Sequence, residues 1–141
     1  MTVYAYTDGA SRGNPGESGI GIIFKDERGK VLYAGGKYIG RTTNNCAEYQ
    51  ALIACLVKAN DTSCKKLVIH SDSELLVRQL QGIYKVRNKS LQKYVGKVRQ
   101  LLKAASFECT IVHVNRDQNR DADMLANAGI DSALAGQKRR V

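Results

Sequence analysis

The chain has 141 residues, of which 43% are apolar and 25% are charged, a size and composition typical of one soluble domain that buries a real core. It contains no apolar run of the ~20 residues that a membrane-spanning helix needs, and its start lacks the pattern of a signal peptide. Lysine and arginine outnumber aspartate and glutamate by 22 to 13, and the net charge of +9 favours a polyanionic partner over a merely basic soluble protein.

The first third of the chain is predicted to form three consecutive strands. Val3–Asp8 alternates aromatic and small residues, and Gly19–Lys25 and Val31–Ile39 are apolar runs separated by the turn-like segment Asp26–Gly29. Strands joined by such short connections predict an antiparallel meander.

The rest of the chain alternates between helical and strand periodicity. The predicted elements are a helix over Cys46–Ala59 capped by Asn44 or Asn45, a strand over Leu67–Ser71, a helix capped by Asp72 and Ser73 that runs to Leu80, a helix around Leu91–Leu102, a strand over Phe107–Val114 and a helix over Asn119–Ala133. This order predicts an α/β fold in which helices flank a five-stranded mixed sheet, with three antiparallel strands followed by parallel ones. Residues 1–141 are predicted to form a single domain, with residues 134–141 as a possible basic tail.

The four cysteines predict free thiols. Cys46, Cys55, Cys64 and Cys109 include no C-x-x-C pair, which argues against a zinc site and favours a reducing compartment, the cytoplasm.

Three carboxylates fall where an α/β sheet usually carries its functional crevice, beyond the carboxyl ends of the parallel strands. Asp8 ends the first predicted strand and Asp72 ends the fourth. Glu48 lies in the first turn of a helix, and its spacing to Leu52 and Cys55 places its side chain on the face toward the sheet. Taken singly, Glu48 is a common helix-stabilising residue and Asp72 a helix cap. If the first and fourth strands are neighbours, the carboxylates converge, repel one another and favour a hard cation such as Mg²⁺ or Mn²⁺.

Four segments, in this order, carry a family resemblance. They are TDGASRGNPG at Thr7–Gly16, RTTNNCAEY at Arg41–Tyr49, SDSE at Ser71–Glu74 and NRDADMLAN at Asn119–Asn127. The chain resembles a type 1 ribonuclease H from about Thr2 to about Ala133, of the archaeal-like subgroup that lacks a basic protrusion.

The resemblance implies hydrolysis of the RNA strand of an RNA/DNA hybrid by a monomer. The family uses two divalent ions, Mg²⁺ or Mn²⁺, and the matching ligands here are Asp8, Glu48, Asp72 and Asp123. The implied products carry 5′-phosphate and 3′-hydroxyl ends, and no side chain acts as a covalent nucleophile.

The resemblance also implies a set of substrate contacts. Recognition of the RNA 2′-hydroxyls is carried over to Gly9, Ser11, Asn14, Asn44 and Asn45. Arg41 and Thr43 match positions that hold a phosphate of the DNA strand. Glu74 stands where the family commonly has glutamine, and a carboxylate accepts hydrogen bonds but cannot donate them, so its contact with the substrate must differ.

Two departures from many bacterial members concern auxiliary groups. Only Gly82–Ser90 joins the second and third helices, so its three basic residues either replace part of the missing phosphate contact or form a solvated linker. The loop before the last helix has no histidine, and Arg116 there is a candidate auxiliary residue for phosphate binding or product release. His70 and His113 lie within predicted strands and are interpreted as packed residues.

The identity of the fourth carboxylate is not decided by periodicity. Asp121 and Asp123 flank the apolar stripe of the last helix at about equal angles, and only the family motif, in which the carboxylate precedes x-L-A, selects Asp123. The main alternative function is a hybrid-binding module that has lost catalysis, and the presence of all four acidic residues argues against it.

Overall fold

A five-stranded mixed sheet and four α-helices make up residues 1–139, the part of the chain that the computed structural model describes. The elements are β1 (Thr2–Gly13), β2 (Gly16–Lys25), β3 (Val31–Thr42), α1 (Asn44–Ala59), β4 (Lys66–Ser71), α2 (Glu74–Leu80), α3 (Lys89–Ala104), β5 (Glu108–His113), a 3₁₀ turn (Arg116–Asn119) and α4 (Arg120–Arg139). None of the described helices is long and apolar enough to cross a membrane.

The strands lie in the order β3-β2-β1-β4-β5. β2 pairs antiparallel with β1 and with β3, whereas β4 pairs parallel with β1 and with β5. The predicted fold class, an antiparallel meander extended by parallel strands and flanked by helices, is therefore confirmed. β1 lies at the centre of the sheet, where the antiparallel and parallel parts meet.

The main core lies between one face of the sheet and the helices α1, α2 and α3. Val3 and Phe24 point from the sheet into this layer, and Tyr49, Leu52 and Val98 meet them from the helices, all of them at most 1% exposed. Burial of each large apolar side chain is worth about 1.5–3 kcal/mol relative to exposure. This layer holds α1, the carrier of Glu48, against β1.

The helix α4 packs on the opposite face, against β2 and β3. A Cβ at Gly21 would overlap the carbonyl oxygen of Ala122, and a Cβ at Gly36 would overlap that of Leu125. The helix backbone therefore rests directly on the strands, which only glycine permits at these two places. This close approach sets the height of Asp123 above the sheet.

The first strand is longer than predicted. The predicted strand ends at Asp8, but β1 continues to Gly13 and pairs with β2 up to Gly13–Gly16. The turn of this hairpin is confined to the residues between these two glycines, and Gly13 adopts a φ of +104°. Asp8 therefore still pairs with Gly21 of β2. It lies one residue beyond Thr7, the last residue of β1 that pairs with β4.

Two helix ends also differ from the predictions. Thr43, not Asn44 or Asn45, caps α1, because its side-chain oxygen accepts a hydrogen bond from the backbone N of Cys46 at 3.2 Å. The last helix does not stop at Ala133 but continues to Arg139, since all but one of the added residues are good helix formers and a single glycine costs only about 1 kcal/mol. Residues 140–141 of the predicted basic tail lie outside the described residues. All four cysteines are free thiols in this structure.

Candidate active site

Two aspartates lie side by side where the pairing of the central parallel strands ends. β1 and β4 pair in register up to Thr7 and Ser71, so that Asp8 and Asp72 are the next residues of the two strands. Their proximity depended on the first and fourth strands being neighbours, and the observed strand order meets that condition.

Glu48 reaches these aspartates because α1 begins directly on β1. A Cβ at Gly9 would overlap the backbone of Ala47 and Glu48, so that only glycine allows the first turn of the helix to come this close to the strand. The Glu48 side chain is 5% exposed and turned toward the sheet. The conformational role of Gly9 is therefore this helix contact.

The carboxylates of Asp8, Glu48 and Asp72 form one compact group. One oxygen atom from each lies within 4.8 Å of the others; Asp8 is 4% exposed and Asp72 is half-buried. All three line a cleft of about 350 Å³. The other lining residues are Gly9, Ala10, Ser11, Arg12, Asn44, Arg116, Asp117, Arg120, Asp123 and Asn127.

Crowding and burial change the acid strengths of this group. Burial, followed by the negative charge of Glu48, raises the pKa of Asp8 to about 10. Burial, followed by the charge of Asp72, raises the pKa of Glu48 to about 8. Without a cation the cluster therefore retains protons at neutral pH, because two or three buried negative charges at this separation repel one another.

The donor set fits a hard divalent cation. The Oε2 atom of Glu48 is buried and has no hydrogen-bond partner among the described residues, a costly arrangement for a carboxylate oxygen. The group supplies only oxygen atoms, with no histidine or cysteine among its members, which suits a hard cation better than zinc. A bound cation would give the orphan oxygen a partner and offset the mutual repulsion of Asp8, Glu48 and Asp72.

The metal-free protein is expected to lose stability as pH rises. The folded-state pKa values of Asp8 (about 10) and Glu48 (about 8) lie above the ordinary values of 3.8 and 4.5. The stabilising contribution of these groups is therefore complete below about pH 4, where both states are protonated, and is lost as pH rises through the folded-state pKa values. Thermal melts in EDTA should show Tm falling between about pH 5 and pH 9, and Asp8→Asn should flatten this slope. A wild-type Tm that climbs steadily over this range would contradict the expectation.

The last helix places Asp121 and Asp123 in different surroundings. Asp123 lines the cleft and lies close enough to Asp8 to contribute to its raised pKa. Asp121 lines a separate small cavity beside Tyr6 and Lys25. Within residues 1–139, Asp123 is not part of the group whose oxygens lie within 4.8 Å, so it borders the three carboxylates from the α4 side. Tertiary geometry thus separates two candidates that periodicity left equal.

Four of the predicted substrate contacts lie at or beside the cleft. Gly9, Ser11 and Asn44 line it, and the Asn14 side chain accepts a hydrogen bond from the backbone N of Asn44 at 3.0 Å. The Ser11 hydroxyl lies 2.8 Å from the carbonyl oxygen of Thr42. These contacts tie the β1–β2 hairpin to the start of α1.

The other four predicted contacts do not line the cleft. Arg41 pairs with Glu17 at 3.4 Å, Thr43 serves as the helix cap, and Asn45 is exposed on the first turn of α1. Glu74 begins α2 and lies 3.9 Å from Arg78. Any contact of these residues with a substrate would therefore lie outside the cleft that holds the carboxylates.

Four polar cleft residues were missed in the sequence, whereas Arg116 lines the cleft as expected. They are Arg12, Asp117, Arg120 and Asn127. Two of them carried a usable signal, because Arg12 lies inside the TDGASRGNPG segment and Asn127 follows Asp123 by four residues on one helix face.

Neither histidine lines the cleft. His70 stacks on Tyr6 at 4.3 Å, and its Nδ1 atom lies 2.8 Å from the carbonyl oxygen of Ala5, so it is packed as predicted. His113 ends the edge strand β5 and is exposed, so the prediction that it is packed was wrong.

The chain is similar to known proteins over nearly its whole length. A family model described as reverse transcriptase-like matches residues 6–129. Ribonuclease HI of Halobacterium salinarum is 41% identical over 131 residues, which cover 93% of this chain and 65% of that protein. Ribonuclease H of Methylococcus capsulatus is 32% identical over 149 residues, which cover 97% of this chain and 94% of that protein. The chain belongs to the type 1 ribonuclease H family.

Solved ribonuclease H structures share the fold over nearly the whole chain. The ribonuclease H1 of the halophilic archaeon Halobacterium salinarum matches with a TM-score of 0.89 at 41% identity, covering 94% of this chain and 99% of that chain. LC11-RNase H1, solved in complex with an RNA/DNA hybrid, matches with a TM-score of 0.89 at 40% identity and the same coverage. The chain spans 65% of the length of the Halobacterium relative and 36% of the length of three mycobacterial relatives.

Proposed function

We propose that this member of the ribonuclease H family is an endoribonuclease that hydrolyses the RNA strand of RNA/DNA hybrids. The observation that carries the proposal is the group of three carboxylates whose oxygens lie within 4.8 Å of one another. The group lies where the pairing of β1 with β4 ends. The likeness to LC11-RNase H1, which was solved with an RNA/DNA hybrid, supports the substrate class.

The proposal also covers the oligomeric state of the protein and its cellular compartment. Residues 1–141 act as one ribonuclease H domain and as a monomer, and the match of the family model to residues 6–129 supports the single domain. The protein works in the cytoplasm, which the four free cysteines support.

Asp8, Glu48, Asp72 and Asp123 are the proposed metal-binding and catalytic carboxylates, and the proposed cofactor is a pair of Mg²⁺ ions, with Mn²⁺ as a substitute. When bound, the ions supply the activation of a water molecule and the stabilisation of the leaving oxygen, which yields 5′-phosphate and 3′-hydroxyl ends. The protein's part is to hold the ligands in place: Asp8 and Asp72 come from paired strands, whereas Glu48 and Asp123 come from helices on opposite faces of the sheet.

The cleft also supplies the groups that would engage the hybrid. Arg12, Arg116 and Arg120 line it and attract backbone phosphates, with Arg116 as an auxiliary residue. Gly9, Ser11, Asn14, Asn44 and Asn45 are the proposed contacts to the RNA 2′-hydroxyls. Arg41 and Thr43 are the proposed contacts to a DNA-strand phosphate, and Glu74 accepts hydrogen bonds from the duplex.

A cleavage assay tests the function. End-labelled RNA/DNA hybrid, duplex RNA, duplex DNA and single-stranded RNA are incubated with the protein in Mg²⁺, in Mn²⁺ and in EDTA. We expect metal-dependent cleavage of the RNA strand of the hybrid alone, with 3′-hydroxyl ends that a polymerase can extend. Tight hybrid binding without cleavage in either metal would instead establish a non-cleaving binding module, and equal cleavage of duplex DNA would remove the ribonuclease H assignment.

The fourth carboxylate can be tested with a matched pair of variants. Asp123→Asn should lower metal-dependent cleavage strongly, by about 100-fold or more, because it removes one of the proposed metal-binding carboxylates. Asp121→Asn should retain cleavage, because Asp121 lies at a separate cavity and acts as a first-turn acid worth roughly 0.3–1 kcal/mol of helix stability. Parallel kinetics and thermal melts measure both effects, and the reverse pattern would transfer the role to Asp121.

A further inference from the structure

A chain of polar contacts ties Asp123 to the far part of β1. The amide nitrogen of Asn127, one helical turn after Asp123, donates to the main-chain oxygen of Asp123 at 3.1 Å and lies 3.3 Å from its Oδ1 atom. The Asn127 Oδ1 atom accepts from Nη2 of Arg12 at 3.2 Å. Nη1 of Arg12 forms an ion pair with Asp131 at 2.7 Å. Arg12 thus holds two successive turns of α4 against the strand that carries Asp8.

The chemistry of the middle residue restricts what can stand there. A guanidinium only donates hydrogen bonds and an ionised carboxylate only accepts them. A side chain that joins Arg12 to Asp123 must therefore accept on one side and donate on the other, and the carboxamide of Asn127 does both. A donated hydrogen bond to Oδ1 restricts rotation of the Asp123 carboxylate and leaves its other oxygen for the cleft.

We propose that Asn127 and Arg12 are positioning residues that orient Asp123 toward the carboxylates of Asp8 and Glu48. The inference rests on the proposed function, in which Asp123 takes part in metal binding. Supporting groups of this kind, which hold a ligand without touching the metal, typically contribute 10–100-fold to metal affinity or activity.

Asn127→Ala and Asn127→Asp are the decisive variants, with Ser132→Ala as the control on the exposed side of α4. The alanine variant loses both contacts. The aspartate introduced by Asn127→Asp still accepts from Arg12 but cannot donate to Asp123. Three readouts apply to each protein: the Tm shift produced by MnCl₂ alone without nucleic acid, the metal concentration for half-maximal cleavage, and kcat separately from KM for a short hybrid.

We expect both Asn127 variants to lower kcat and to raise the half-maximal metal concentration by about tenfold. The KM should stay within about twofold, since Asn127 would act through Asp123 and not through the hybrid. The Mn²⁺-induced Tm shift should shrink in both variants and stay at the wild-type value in Ser132→Ala. Arg12→Met combined with Asn127→Ala should cost no more in metal response than the larger single effect, because the two residues act in one chain of contacts.

Two results would overturn the inference. One is an Asn127→Asp variant with wild-type kcat and metal response, which would show that docking of α4 by Arg12 suffices. The other is an Asn127→Ala variant with lower Tm but an unchanged Mn²⁺ shift, which would make the contact purely structural. The Mn²⁺ shift is measured without nucleic acid, so it decides the positioning role even if the wild-type protein fails to cleave the hybrid, an outcome that refutes the proposed function instead.

Discussion

Asp72→Asn is expected to remove metal-dependent cleavage while leaving binding of the hybrid intact. Asp72 directly follows β4 and lies beside Asp8, with carboxylate oxygens of the two residues and of Glu48 within 4.8 Å of one another. An amide in its place loses one negative charge and one of the oxygens that attract the metal. The loss of several kcal/mol of transition-state stabilisation corresponds to a fall in kcat of about 1,000-fold.

The same variant should be more stable than the wild type in EDTA at pH 8. The charge of Asp72 is one cause of the raised pKa of Glu48 and of Asp8, so its removal relieves repulsion in the metal-free fold. Below about pH 5 the gain should vanish as the carboxyl groups become protonated. Kinetics, a hybrid-binding titration and melts at two pH values measure these effects. Asp61→Asn, an exposed acid paired with Lys58, is the control, and near-normal turnover of Asp72→Asn would refute the metal assignment.

Gly9→Ala should damage both stability and activity through one added methyl group. The new Cβ would overlap the backbone of Ala47 and Glu48, and backbone atoms cannot move aside as the end of a flexible side chain can. Overpacking of this kind typically costs about 1–3 kcal/mol of unfolding free energy. Any relief requires α1 to shift away from β1, which carries Glu48 away from Asp8 and should lower kcat together with the Mn²⁺-induced Tm shift.

Gly96→Ala is the matched control for this substitution. Gly96 lies exposed in α3, and a Cβ there would meet nothing within 4 Å, so the change should raise the unfolding free energy by about 1 kcal/mol. Chemical denaturation of both variants gives the two free energies with opposite signs. A Gly9→Ala variant with wild-type stability and metal response would mean that α1 does not need its close approach to β1.

Both predictions concern the same feature of the site, a group of crowded carboxylates that the fold alone does not stabilise. Asp8 and Glu48 are almost fully buried, and Glu48 retains an oxygen without a partner among the described residues. The close backbone contact at Gly9 holds Glu48 beside Asp8, and the one at Gly21 holds α4, which carries Asp123, against the sheet. Rigid packing around the carboxylates preorganises the site at the expense of metal-free stability.

The order of strands and helices and most of the candidate site could be predicted from local patterns and motifs. Alternating and helical periodicities are local properties, so the nine predicted elements all appear, with errors confined to their ends. The four motifs carried Asp8, Glu48, Asp72 and Asp123 in family order. The extension of β1 to Gly13 was missed because it depends on pairing with another segment, the strand β2. The cap at Thr43 is a local contact with the backbone N of Cys46, and it was missed because the two neighbouring asparagines are equally good capping residues.

Which of these residues come into contact could not be predicted from local patterns. The neighbourhood of Asp8 and Asp72 follows from β1 lying beside β4, a pairing between segments about 60 residues apart that no local pattern encodes. The difference between Asp121 and Asp123 follows from the way α4 rests on Gly21 and Gly36, which turns one acid toward the cleft and the other toward Tyr6. The contacts of Arg12 with Asn127 and Asp131 likewise join residues more than 100 positions apart. Periodicity assigns a residue to a face of its own helix or strand, but long-range packing decides what that face touches.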